Sequence, residues 1–138
     1  MLMKPVLTLD DAKIMAAAGA AEAKKNGWNV VIAIVDDGGH LMYLERLDNT
    51  QKASSVIAVE KARTALMFRR PSVAFEQAVA GGRVAVMSLP GAVTVEGGLP
   101  IVAKGEYVGG IGVSGVQSSQ DGIVAKAGLD ALMATLSG

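Results

Sequence analysis

The hydrophobic and polar positions near the N-terminus follow helical spacing. Residues 9–25 come after Thr8, and Asp11 stands three residues beyond it, as in a capping box. The pattern ends at Asn26-Gly27, because glycine suits the left-handed conformation that closes many helices. The predicted buried face of this helix consists mostly of small side chains: Ala12, Met15, Ala16, Gly19, Ala20 and Ala23. Because these side chains are small, we expect the helix to approach a sheet closely, which fits the glycine-rich strand at residues 107–113.

Short apolar runs between the helical stretches predict an antiparallel sheet. The first run is β-branched, which is typical of a strand buried on both faces, and the turn sequence DDGG joins it to a partner strand. Two later runs flank Lys104-Gly105-Glu106, which predicts a second hairpin. The predicted strands are residues 29–35, 40–47, 83–89, 99–103 and 107–113.

The strand at residues 107–113 contains Gly109, Gly110 and Gly112, although glycine weakens a strand. Glycine in such a place indicates a bulge, or another backbone or a ligand lying close. Two interpretations follow. A helix packs tightly on the bare face of the sheet, which is the favoured interpretation, or a flat ligand lies there.

Three further helices are predicted. In the helix at residues 53–68, Lys61 lies at the edge of the small-residue face, so it either extends outward, as is commoner, or points into a site. Residues 71–80 form a short helix with Pro71 at its first position. Ser118 caps the helix at residues 119–136, with Asp121 at its third position. This last helix is apolar almost all round, so a second subunit is expected to cover it.

The order of the predicted helices and strands indicates an α+β fold, an antiparallel sheet with helices packed on it, in one domain over the 138 residues.

Composition excludes several classes of partner and site. The formal net charge is zero and no basic stripe occurs, so nucleic acid is not an expected partner. No apolar run is long enough for a membrane helix, and no leader pattern is evident. Cysteine is absent, which excludes disulfides and thiolate metal sites. Cytoplasm is the default expectation for the location and does not follow from the cysteine count.

His40 is the only histidine, so a zinc site with several histidines is excluded. A lone imidazole at a turn can be an axial haem ligand or a general base, although an ordinary turn histidine is commoner. Free N–H groups at Ser114 and the start of the last helix could bind an anion. Lys61 or Arg46 would then add positive charge that suits a small carboxylate or a propionate.

Several blocks of the sequence, taken together, resemble one family. They are Val35-Asp36-Asp37-Gly38-Gly39-His40-Leu41, Arg46-Leu47-Asp48, Glu60-Lys61-Ala62-Arg63-Thr64-Ala65, Gly97-Gly98-Leu99-Pro100-Ile101, Gly109-Gly110-Ile111-Gly112-Val113-Ser114-Gly115 and Asp121. The chain is similar to the GlcG/HbpS family, which also forms the C-terminal domain of PduO-type cobalamin adenosyltransferases. The resemblance implies a profilin-like fold and homo-oligomers from dimers to octamers. It also implies that haem is a ligand of some members and that genes for small-molecule breakdown lie nearby.

Three functions remain open. The favoured one is a cytoplasmic, homo-oligomeric accessory protein, linked to a catabolic operon, that binds a small ligand such as haem or another tetrapyrrole. The second is an enzyme acting on a small hydroxy acid or an aromatic-breakdown intermediate, with Lys61, His40 and Asp121 as acid/base groups. The third is a structural oligomer without a ligand. The predicted ligand-binding residues are His40, Arg46, Lys61, Gly98, Gly110, Ser114 and Asp121.

Overall fold

The computed structural model describes residues 1–136, which form four strands, four α-helices and a short 3₁₀ helix. Both predicted hairpins are present, and the expected α+β arrangement is confirmed. In chain order, the elements are α1 (Leu9–Lys25), β1 (Val31–Asp36), β2 (Leu41–Arg46), α2 (Ser54–Phe68), α3 (Val73–Ala80), the 3₁₀ helix (Val84–Ser88), β3 (Gly98–Ala103), β4 (Glu106–Ser114) and α4 (Ser118–Leu136).

The strands form one antiparallel sheet in the order β2-β1-β4-β3. Along the central pair, Asp36 lies opposite Gly109 and Val31 lies opposite Ser114. We call these the turn end and the far end of the sheet. Five residue steps separate them along β1, which is about 16 Å of extended chain.

Helices cover both faces of the sheet. Helices α1 and α4 pack on one face, where Met15, Ile32, Ile111 and Leu132 belong to the main core. Helix α2 lies on the opposite face, over β1, β4 and β3. The prediction that β1 is buried on both faces is confirmed, because residues 31–35 have no exposed surface.

The glycines of β4 make room for α2, so the favoured helix interpretation is confirmed. A Cβ atom on Gly110 would collide with the carbonyl oxygen of Ala62, and one on Gly112 with that of Ala58. A flat ligand therefore cannot lie on this stretch. The expectation that α1 exploits these glycines is wrong, because α1 lies on the other face, where it packs closely on Gly128 of α4.

Three local predictions are wrong. Within the predicted strand 83–89, residues Val84–Ser88 form the 3₁₀ helix instead, and the segment pairs with no strand of the described chain. Helix α3 begins at Val73, and Pro71 precedes it. Helix α4 begins at Ser118, so this serine does not cap it. The N–H of Gln117 instead donates to the Gln120 side chain at 3.3 Å.

Candidate functional site

The tight turn between β1 and β2 presents His40 at the turn end of the sheet. One carboxylate oxygen of Asp36, Oδ1, accepts the backbone N–H groups of Gly38 and His40, each at 2.9 Å. The same oxygen lies 3.3 Å from Nδ1 of the His40 ring, which is 79% exposed. Because Nδ1 faces the carboxylate, Nε2 is the nitrogen available to solvent or to a ligand.

The electrostatics of this turn favour an ionised Asp36. Burial acts to raise the pKa of Asp36, but the N–H groups of His40 and Gly38 and the nearby imidazole outweigh it and hold the pKa below its usual value. A charged carboxylate behind an imidazole fixes the orientation of the ring.

An open pocket of about 290 Å³ lies beside this turn, between α2 and the chain that follows the 3₁₀ helix. Arg63 links the β1–β2 turn to this pocket: it lines the pocket, and its Nη1 donates to the carbonyl oxygen of Gly39 in the turn at 2.7 Å. The Thr64 hydroxyl holds the opposite wall through Gly91 O at 3.2 Å and Val93 N at 2.9 Å. We call this the hairpin pocket; it is lined by Arg63, Met67, Phe68, Pro90 and Gly91.

The prediction that Lys61 extends outward is wrong. Its side chain is only 2% exposed and runs against Gly97, and Nζ lies 3.0 Å from both the Val113 carbonyl oxygen and Asp121 Oδ2. The other carboxylate oxygen of Asp121 accepts the N–H of Val116 at 3.2 Å. Burial raises the pKa of Asp121 above its usual value and outweighs the attraction of Lys61.

Two further carboxylates lie near this pair. The Glu96 side chain contacts Gly122 in the first turn of α4, and the N–H of Glu96 donates to Glu76 Oε1 at 3.2 Å. Burial and the neighbouring Glu76 raise the pKa of Glu96, against the opposing effect of Lys61. Local spacing could not have found this group, because its members come from four separate segments of the chain.

The predicted site residues fall in several places. Lys61, Gly98 and Asp121 lie together near the far end, where a Cβ atom on Gly98 would collide with the Lys61 carbonyl oxygen. Ser114 is also there and is 4% exposed, and its hydroxyl oxygen lies 3.0 Å from that of Ser54. The structure therefore buries Ser114 and Lys61, two of the residues that the sequence suggested for binding an anion.

The remaining predicted residues are elsewhere. Gly110 lies under α2, His40 lies at the turn end, and Arg46 is exposed on the edge strand β2, opposite Val31. A single small ligand cannot contact the whole predicted set.

Sequence reasoning missed the hairpin pocket. Arg63 and Met67 are four residues apart on α2, a spacing that places two side chains on one helix face, and this was the available signal. Pro90 and Gly91 could not be assigned, because the strand-like pattern of residues 83–89 hides the turn that brings them back to α2.

Within residues 1–136, no group of three or more His, Cys, Asp or Glu side chains is arranged to hold a metal ion, and no helix is long and apolar enough to cross a bilayer.

Comparison with known proteins agrees with this α+β architecture, an antiparallel sheet between helical layers. Residues 7–130 match the family described as haem degrading protein HbpS-like. Protein GlcG of Escherichia coli K12 is 43% identical over 114 residues, which cover 83% of this chain and 85% of that protein. The chain therefore belongs to the HbpS-like family.

Solved structures are similar over most of the chain. A double mutant of Streptomyces reticuli HbpS has a TM-score of 0.87 at 32% identity, covering 96% of this chain and 90% of the other. The complex of PduOC with haem has a TM-score of 0.83 at 26% identity, covering 92% and 95%.

Proposed function

We propose that this protein binds haem or a similar tetrapyrrole at the turn end of the sheet, in the hairpin pocket, with His40 as the iron ligand. The observation that supports this most is the exposed His40 imidazole, backed by the Asp36 carboxylate and adjoining Arg63 through Gly39. Membership of the HbpS-like family and the likeness to PduOC, solved with haem, favour the same ligand.

The residues at this end fit the chemistry of haem. Its flat apolar ring would lie against Met67 and Phe68, and Met67 is already 58% exposed. A propionate would pair with the Arg63 guanidinium, which is suited to carboxylates. His40 would hold the iron through Nε2, as histidine does in many haem proteins. When bound, haem would supply a redox-active metal centre, and these residues would orient it.

The buried Lys61–Asp121 pair is assigned a different role in this proposal. Both side chains are 2% exposed and satisfy each other, so a substrate has no access to Lys61 in this arrangement. This disfavours the enzyme in which Lys61 acts as an acid or base. We infer that the pair instead stabilises the fold beneath the binding surface.

We also infer that the protein is a homo-oligomer and an accessory to a catabolic operon. The side chains of Ile123 and Leu136 on α4 are 49% and 52% exposed, and covering such residues is a common reason for subunits to associate. The identity of the neighbouring genes tests the operon assignment. The assignment is wrong if none of these genes encodes an enzyme of small-molecule breakdown.

Titration of the purified protein with hemin tests the binding site. We expect a shifted, saturable Soret band, and affinity about tenfold weaker in Arg63→Gln, because a hydrogen bond to a charged group contributes about 1.5–3 kcal/mol. Arg83→Gln, an exposed arginine outside the pocket, is the matched control and should bind like the parent. A spectrum that stays that of free hemin, or equal effects of the two substitutions, contradicts the proposal.

A further inference from the structure

A second cleft, of about 320 Å³, lies at the far end of the sheet, where α1 ends and β2 ends. It is separate from the hairpin pocket, which adjoins the turn end about 16 Å away along β1. We call it the tryptophan cleft; it is lined by Lys24, Gly27, Trp28, Asn29, Leu47, Asp48 and Asn49.

Backbone hydrogen bonds form both walls of this cleft. On one side, the N–H of Gly27 donates to Lys24 O at 3.1 Å and that of Trp28 to Ala23 O at 2.9 Å, so the chain turns sharply and sets Trp28 against the core. Gly27 has a φ of 72°, which glycine adopts without strain. This wall therefore exists before any ligand arrives.

The opposite wall is held by Leu47 and Thr50. The N–H of Leu47 donates to Val30 O at 3.0 Å, and the Thr50 hydroxyl reaches the carbonyl oxygens of Leu47 at 2.7 Å and Val30 at 3.2 Å. Asn49 takes a left-handed conformation with a φ of 66°, which asparagine tolerates better than most residues. Asp48 and Asn49 are thus placed by a fixed turn.

The cleft presents polar groups that nothing else in the described chain engages. Within residues 1–136, the side chains of Lys24, Asn29, Asp48 and Asn49 make no hydrogen bond or ion pair with another residue. The adjacent Lys25 differs, because its ammonium lies 3.8 Å from Glu22. A lysine, an aspartate and two asparagines, all exposed, therefore line the space beside one half-buried indole ring.

We propose that the tryptophan cleft binds a small polyhydroxylated carboxylate, such as a sugar acid of monosaccharide size. Lys24 pairs with the ligand carboxylate, while Asp48 and the amides of Asn29 and Asn49 bind its hydroxyl groups. The Trp28 ring takes the apolar C–H face of the same molecule. The volume lies at the lower end of the range for small-molecule sites, which suits a ligand of monosaccharide size.

Fluorescence measures this binding directly, because Trp28 is the only tryptophan of the chain. We expect D-glucuronate to change the emission saturably, and D-glucose, which lacks the carboxylate, to bind at least tenfold more weakly. Lys24→Gln should weaken glucuronate binding at least tenfold. Lys25→Gln, the neighbouring lysine outside the cleft, is the matched control and should bind within twofold of the parent.

Saturation-transfer NMR with the same two sugars supplies a second readout that does not depend on emission. No saturable signal from glucuronate by either method, equal affinity for glucose, or equal effects of the two lysine substitutions overturns the proposal. Hemin titration reports on the other end of the sheet, so these outcomes are independent of the haem proposal.

Discussion

The ammonium of Lys61 lies 3.0 Å from Asp121 Oδ2, and this buried ion pair joins helices that cover opposite faces of the sheet. Lys61 belongs to α2 and Asp121 to the first turn of α4. Nζ also binds the Val113 carbonyl oxygen at the end of β4, so one side chain links both helical layers to the central strand. The two helices are otherwise separated by the sheet.

Breaking this pair should be costly, because an unpartnered charge would remain in the interior. We expect Asp121→Asn to lower the free energy of unfolding by about 3–5 kcal/mol in urea titrations. The matched control is Asp130→Asn, which breaks the exposed Lys126–Asp130 pair at 2.6 Å and should cost less than about 1 kcal/mol. Equal losses in the two variants would show that the buried pair does not hold the layers together.

Glu96 should make the fold less stable as the pH rises. The pKa of Glu96 is raised in the folded state by burial and by Glu76, so folding favours its protonated form. Its contribution is therefore fully present below the ordinary carboxylate pKa and is lost as pH rises through the raised value. Ionised Glu96 faces Glu76 and Asp121 as well as the cation Lys61.

Glu96→Gln should consequently increase stability at pH 7 and flatten the stability profile between pH 4 and 7. Urea unfolding at several pH values measures this. Glu106→Gln, at the first residue of β4, controls for the loss of one negative charge. If Glu96→Gln is less stable than the parent at pH 7, the assigned pKa direction is wrong.

The contact between β4 and α2 should tolerate no added side chain. Gly112→Ala would place a methyl group against the backbone of Ala58 and Ala62, and overpacking of this kind costs about 1–3 kcal/mol or more. Gly81→Ala is the control, since a Cβ atom there would come no nearer than 3.4 Å to the Gln77 carbonyl oxygen. Thermal unfolding should separate the two variants, and similar melting temperatures would contradict the close packing.

Sedimentation should show a species larger than the 14.1 kDa monomer. Ile123→Glu should shift it toward the monomer if α4 lies in the subunit interface, because an unpaired carboxylate is costly to bury between subunits. Lys126→Gln, on the same helix, controls for the same change of one unit in net charge. A monomeric parent protein would remove the basis for assigning α4 to an interface.

Local signals in the sequence were enough for most of the fold. The six predicted buried positions of α1 all lie in its buried face, and Thr8 and Asp11 form the expected capping box. The apolar runs and the turn residues between them also located both hairpins. These features depend on neighbours close in sequence, so a single chain reveals them.

The errors arose where distant segments decide the outcome. Residues 83–89 have strand propensity but no strand to pair with, so propensity alone misled the prediction. Lys61 is buried because Asp121, sixty residues away, supplies its counter-charge. One wall of the hairpin pocket is a chain segment held against α2 by Thr64, and no local pattern encodes the return of that segment.

The most direct measurement of the central claim is the absorption spectrum of hemin with His40→Ala, before and after addition of imidazole. His40 is the only histidine, so no other imidazole in the chain can replace it. We expect the substitution to abolish the histidine-ligated Soret band and free imidazole to restore it, because the pocket remains intact. A His40→Ala spectrum identical to that of the parent protein, with no response to imidazole, would contradict the assignment of His40 as the iron ligand at the turn end.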